Sequence, residues 1–220
     1  MGCADCILGR IFGFGHNQFS HTSRRKKATK QPLLIGIWTQ SRVHDMTKTQ
    51  IVWQHFPKHS PCPEGLRLVT QCFKDVQEEI SSLKTANIGQ ESNAVLKKVR
   101  DGLVQIGFNV ESSKTKEGKI SIPVLFKENG QVDVKFEADA YHPGEKIVLE
   151  VEAGRGVTNY QFLKDLFQAC VMQDVDYFAV AIRQDYRGNN DYKKVVGFFD
   201  TIFASNRLTL PLKGILIIGY

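Results

Sequence analysis

Long apolar runs are missing from this 220-residue chain. None approaches the roughly 18 residues that cross a bilayer as a helix, so no membrane segment is expected. Cysteine is scarce and odd in number, five in all. That gives no paired framework of a small secreted protein and makes a reducing, cytoplasmic home the simplest one. No glycine-rich nucleotide-binding loop and no internal repeat is present. Net charge is also nearly absent outside the N-terminus. Arg10, Arg24, Arg25, Lys26, Lys27 and Lys30, against Asp5 alone, supply +5 of the formal +6. The remainder is almost balanced, and composition reveals no basic groove there.

The basic excess therefore reads as an arm. Residues 1–60 are expected to form a basic, partly flexible extension, and residues 61–220 a single domain. The run Ser23-Arg24-Arg25-Lys26-Lys27 is a solvated segment or a phosphate contact. Cys3-Ala4-Asp5-Cys6 is a lone CxxC, which would have to borrow Cys62, His16 or His21 to hold zinc. Met1-Gly2-Cys3 has the look of an acylation start, but Cys6 stands where that pattern wants Ser or Thr. Pro57, Pro61 and Pro63 mark the boundary.

Beyond it, periodicity organises the chain. Leu66, Val69, Phe73, Val76, Ile80 and Leu83 predict a helix from Glu64. Val95, Val99, Leu103 and Ile106 predict a second from Ser92, stopped by Gly107. Strands are expected over 108–111 and 120–127. A third helix is expected near Thr158 as N-cap, with Leu163, Leu166, Phe167, Cys170 and Val171 inward. Asp176–Ile182 reads as a covered strand, 191–204 as a helix, and Lys213–Tyr220 as a closing strand. Cys72 and Cys170 fall on apolar faces. The sum is an α/β fold with a mixed β-sheet flanked by helices.

The chemistry lies between these elements. Five of the seven residues 147–153 are apolar, and the other two are Glu150 and Glu152. In a strand, alternation puts both carboxylates on one face, where two like charges in an apolar setting call for a cation or fixed donors. Upstream, Gln131–Tyr141 alternates, with Asp133, Lys135, Glu137, Asp139 and Tyr141 on one side. His142-Pro143-Gly144-Glu145 reads as a turn, giving an antiparallel hairpin. With Pro143 and Gly144 as a two-residue loop, Asp139 faces Val148 and Glu137 faces Glu150. Glu137, Asp139, Glu150 and Glu152 then share a face, and a one-residue slip would separate them. The plainer alternative is the wet face of an edge strand.

Asp139, ten intervening residues and Glu150-Val151-Glu152, on a meander between two helices, resemble the restriction-endonuclease-like, PD-(D/E)xK nuclease superfamily. The likeness covers about residues 90 to 185. From about Trp53 to Tyr220, segments such as Phe136–Tyr141, Leu149–Arg155, Leu163–Phe167 and Leu210–Gly214 also look like a family of uncharacterised prokaryotic proteins described as restriction-endonuclease-like. Two departures stand out. Ala138, not Pro, precedes Asp139, and Glu152 replaces the usual Lys, as it does in some type II restriction enzymes.

The resemblance implies a Mg²⁺-dependent (or Mn²⁺-dependent) DNA endonuclease, in prokaryotic defence, with a homodimer to cut two strands. It implies Asp139 and Glu150 as direct ligands, with either Glu137 or Asp139 in the first role. The Val151 carbonyl and Glu91 would complete the metal shell. Glu152 would be general base or ligand to a second ion. Lys135 or Lys164 would supply the missing ammonium. Arg155, Asn159 and Gln168, around the start and polar face of the following helix, are the candidate nucleic-acid contacts; turn solvation, capping and an ordinary wet face are the plainer readings. The second function class is a nucleic-acid-binding module that keeps the fold without the chemistry. The third is a membrane-tethered protein using Gly2, Cys3 and the basic run.

Overall fold

The computed structural model describes residues 50–154 and 156–220. The CxxC, the acylation-like start, the basic run and Arg155 lie outside the described residues. The elements run β1 (Val52–Phe56), α1 (Glu64–Asp75), α2 (Gln77–Ile80), α3 (Ser92–Gln105), β2 (Asn109–Val110), β3 (Ile120–Phe126) and β4 (Val132–Ala138). They continue with β5 (Ala140–His142), β6 (Ile147–Glu152), α4 (Gln161–Val171), β7 (Tyr177–Ile182), α5 (Asp191–Ser205) and β8 (Gly214–Gly219). The fold is α/β.

Six strands form one mixed sheet in the order β1-β8-β7-β6-β5-β2, and β3 pairs with β4 in a separate ribbon. β6, β7 and β8 are parallel, joined by α4 and α5 as crossovers, while β1, β5 and β2 run antiparallel to their neighbours. Parallel strands need helical crossovers, which cover the sheet and bury both strand faces. Hence Ile215 to Ile218 are all fully buried. Each such side chain contributes about 1.5–3 kcal/mol of transfer free energy. One layer packs α1 and α3 through Leu66, Phe73, Val99 and Leu103 onto Leu149, Val151 and Leu216. The other packs α4 and α5 through Phe162, Leu166, Val195 and Phe199 onto Val148, Val180 and Ile217. Glu150 and Glu152 follow Val148 at period two, so they face the second layer.

The α3 boundaries match the periodicity, and Gly107 takes the positive φ of 102° that ends it. Other expectations shift. The helix from Glu64 breaks at Val76, where φ is −112° and ψ 16°, and Leu83 is exposed. Thr158 is not the cap of α4; Tyr160 is, at φ 53°. The boundary at residue 60 falls inside the fold. β1 pairs with β8 along its whole length, and Ile51 and Phe56 are core residues.

The hairpin carries the largest correction. Ala140 pairs with Leu149, Tyr141 with Val148 and His142 with Ile147, a two-residue shift from the expected register. The loop is four residues long, 143–146, and Lys146 takes φ 55°. The cause is Pro143. Two-residue hairpin loops need a positive φ at their first position, and proline fixes φ near −65°. The His142 ring closes the longer turn: Nδ1 accepts the Glu145 N–H at 3.0 Å, and Nε2 lies 2.8 Å from the Ile106 carbonyl oxygen. Because the shift is even, it preserves the face of each side chain.

Candidate functional site

The expected single strand 131–141 is interrupted at Asp139, where the chain leaves the β3–β4 ribbon and enters the main sheet. The break places the Asp139 carboxylate rather than its backbone against β6. Oδ2 accepts the Val151 N–H at 2.8 Å, and the Asp139 carbonyl accepts the Glu111 N–H at 2.8 Å. The β5–β6 ladder stops at Leu149, and the Asp139 side chain continues it by one bond.

Three further carboxylates bear on it. Glu150 and Glu152 come from β6, and Asp165 from α4, only 2% exposed. Burial, followed by the neighbouring Glu111 and Asp165 carboxylates, pushes Asp139 up to about 6, against the Val151 hydrogen bond. Burial pushes Glu150 well above the usual carboxylate range, with Asp139, Asp165 and Glu152 adding to it. Burial also pushes Glu152 up to about 8, assisted by the charge of the neighbouring Asp165. Asp139, Glu150 and Glu152 thus hold protons that exposed carboxylates release.

Among the described residues one cation answers them. Lys164 Nζ lies 2.8 Å from Asp165 Oδ1. Burial works to lower the Lys164 pKa, but Asp165, Glu150 and Glu152 outweigh it and the net shift is upward. Lys135, the other candidate ammonium, is exposed on β4 opposite Pro123 and far in register from Glu152, which pairs with Ile182. Glu137 is likewise removed: it sits on the ribbon, is exposed, and is bridged to Lys119. The reason for both is the break at Asp139, which sends β4 and β5 into different sheets.

The remaining candidates separate by position. Val151 turns its side chain into the α1–α3 core and donates its N–H to Asp139. Glu91 is the exposed residue preceding α3 and lies outside the charges that act on Asp139, Glu150 and Glu152. Asn159 is exposed in the turn before α4, and Gln168 is partly exposed one turn beyond Lys164. Asp165, a polar residue beside Lys164, lies on the covered side of α4 rather than its wet side. The buried stripe is Phe162, Asp165, Leu166 and Ala169, while Phe167 is 61% exposed. The spacing of Phe162, Leu166 and Ala169 carried the signal.

The donor set suits a hard cation, since carboxylate oxygens are the ligands that Mg²⁺ and Mn²⁺ prefer. Neither Asp165 oxygen has a hydrogen bond of good geometry within the protein. Among the described residues, however, no three His, Cys, Asp or Glu side chains stand grouped as a ligand set. The fit is therefore one of donor chemistry and charge.

A cleft of about 880 Å³ opens where β6 and β7 end, bordered by Ala153, Gly154 and Arg183 on the sheet side and Glu91 to Asn93 on the α3 side. Open α/β sheets bind ligands outside the carboxyl ends of their parallel strands. Among the described residues no helix is long and apolar enough to cross a membrane. No protein-family model and no curated protein sequence matches the chain.

Proposed function

We propose that this chain is a divalent-metal-dependent nuclease that hydrolyses phosphodiester bonds of DNA, in the manner of the PD-(D/E)xK superfamily. The observation that carries the reading is the cluster of Asp139, Glu150, Glu152 and Asp165 beside Lys164, buried enough to raise three of their pKa values. Perturbed carboxylates gathered at a strand end mark sites of chemistry more often than of stability.

Asp139 and Glu150 would hold Mg²⁺ or Mn²⁺, with the Val151 carbonyl next to Glu150 on β6 and Asp165 facing them from α4. A divalent ion held there would supply charge neutralisation at the phosphate and acidify a water. Glu152, partly exposed and poised near 8, accepts the proton of the attacking water. Lys164 offers an ammonium to the charge that develops on the phosphoryl oxygens. The Val151 N–H fixes the Asp139 carboxylate, so one catalytic oxygen is preorganised by the backbone.

The test is incubation of supercoiled plasmid with the protein and Mg²⁺ or Mn²⁺, alongside Glu150→Gln. Nicking by the parent and not by the variant is expected. No nicking across DNAs and ions, or equal nicking by both, refutes the reading.

The missing ligand set among the described residues favours a second reading, a DNA-binding module without catalysis. Calorimetric titration separates the two. A nuclease binds Mn²⁺ with proton release, because raised carboxylates must ionise to coordinate. The binding module gives no metal heat but retains salt-dependent DNA affinity.

A further inference from the structure

Arg183 follows β7 directly, is only 6% exposed, and borders the cleft beside Ala153 and Gly154. No carboxylate among the described residues forms an ion pair with it; none of the nine bridges from Lys58–Asp200 to Lys213–Asp176 includes it. Two tyrosines flank it among the described residues. The guanidinium lies beside the Tyr220 hydroxyl and 5.8 Å from the centre of the Tyr186 ring. Burying a guanidinium without an anion costs several kcal/mol. A fork of five donors facing a polar cleft suits one kind of guest, a phosphate or carboxylate oxygen pair.

The opposite wall has the same preference. α3 begins there at Ser92, its N-cap residue Glu91 makes no side-chain cap hydrogen bond, and Ser92 and Asn93 line the cleft. First-turn N–H groups and the positive end of the helix dipole favour an anion. Lys114 and Arg187 add exposed positive charge, with Arg187 5.3 Å from the same Tyr186 ring. Glu91 and Asp185 on the rim oppose it. The count of cations over acids, and the burial of Arg183, decide for an anion.

This cleft is tied to the acid cluster. The Tyr220 hydroxyl that meets Arg183 donates to the Glu152 carbonyl at 2.9 Å. Arg183 is therefore one hydroxyl away from the backbone of a candidate catalytic residue.

We propose that the cleft between the start of α3 and the loop after β7 is a phosphate subsite, anchored by Arg183, that holds the DNA strand at a phosphate neighbouring the one to be cut. The proposal deepens the nuclease reading and rests on it for the identity of the strand. Tyr186, carrying a guanidinium near its ring, is placed to take a base or sugar of the same nucleotide.

The test is fluorescence anisotropy of a labelled DNA oligonucleotide over a salt series, with EDTA present so that no cleavage occurs. Arg183→Gln is expected to weaken binding about tenfold and to lower the slope of log affinity against log salt by about one. The exposed pair Lys114→Gln with Arg187→Gln reads the same subsite without touching the core, and a similar loss is expected. It carries the result if Arg183→Gln fails to fold. Inorganic phosphate and a short oligonucleotide serve as competitors; displacement by the oligonucleotide at far lower concentration is expected. Binding and salt slope unchanged in the surface pair and in any folded Arg183→Gln overturn the proposal. Equal competition by inorganic phosphate also overturns it, by showing a small-anion site. Loss of binding in a protein that nicks no DNA sustains the subsite and sinks the nuclease reading alone.

Discussion

At the scale of single residues, the informative groups are those that work against folding. Glu150 and Glu152 occupy a buried strand where valine or isoleucine would pack better. Their pKa values are raised, so the native state holds more protons than the unfolded chain between the two sets of values. Stability must then fall with rising pH in that window. For Asp139 the window runs from near 4 to about 6, and for Glu152 from about 4.5 to about 8. Chemical denaturation of metal-free protein should show a decline of about 2 kcal/mol between pH 5 and 8, and Mn²⁺ should restore it. A flat or rising profile contradicts the burial of these acids. Glu150→Gln removes one buried charge and should raise stability at pH 8 by about 1–2 kcal/mol while abolishing nicking. Gly156 is a residue of the opposite kind, needed for its lack of a side chain. A Cβ there would stand 2.8 Å from Glu152 Cβ and 3.3 Å from Oε2. Gly156→Ala should displace Glu152 and cut activity at least tenfold with a melting temperature within a few degrees of the parent; unchanged activity would show that Glu152 need not stay where it is.

At the scale of elements, α4 and the β5–β6 hairpin show where periodicity succeeds and where it slips. Leu163, Leu166, Phe167, Cys170 and Val171 fit a helical stripe, and so do Phe162, Leu166 and Ala169. Packing on Val180 and Ile182 selects the second, rotating Asp165 inward and Phe167 outward. Urea unfolding tests this. Phe167→Asp should cost under about 0.5 kcal/mol, as for an exposed site. Leu166→Ala should cost about 2–4 kcal/mol. A severe loss from Phe167→Asp would mean the helix is rotated the other way. In the hairpin, the turn was legible from His142-Pro143-Gly144-Glu145, and its length was not. The proline rule that forbids a two-residue loop is local, but the His142 ring that stabilises the longer one reaches across 36 residues to Ile106.

At the scale of the whole molecule, the sheet gathers parts that lie far apart in sequence. β1 and β8 are joined only by pairing, and Val52 meets Gly219. A chain beginning at Pro61 would lose Ile51 and Phe56 from the core and leave β8 an open edge, a template for association. It should lose its cooperative melting transition and sediment as aggregate; a cooperative melt near that of the full chain would return β1 to the extension. The same assembly sets the site. β6 supplies two acids, the β4–β5 break a third, α4 the fourth and the lysine, and the ends of β7 and β8 supply Arg183 and Tyr220.

The amino-acid pattern alone determined α3 to α5 and the strands β6 to β8, that the fold is α/β, and that Glu150 and Glu152 share a face. These follow from 3.6- and 2-residue periods and from the fixed φ of proline, which act over a few neighbours. Only tertiary structure decided that Asp165 is buried, that Lys164 and not Lys135 meets the acids, that Glu137 is excluded, and that Arg183 borders a cleft with no ion-pair partner among the described residues. Those outcomes depend on which sheet a strand joins and which side of a helix is covered. Burial, and with it the cost of each charge, is a property of surfaces brought together from distant parts of the chain.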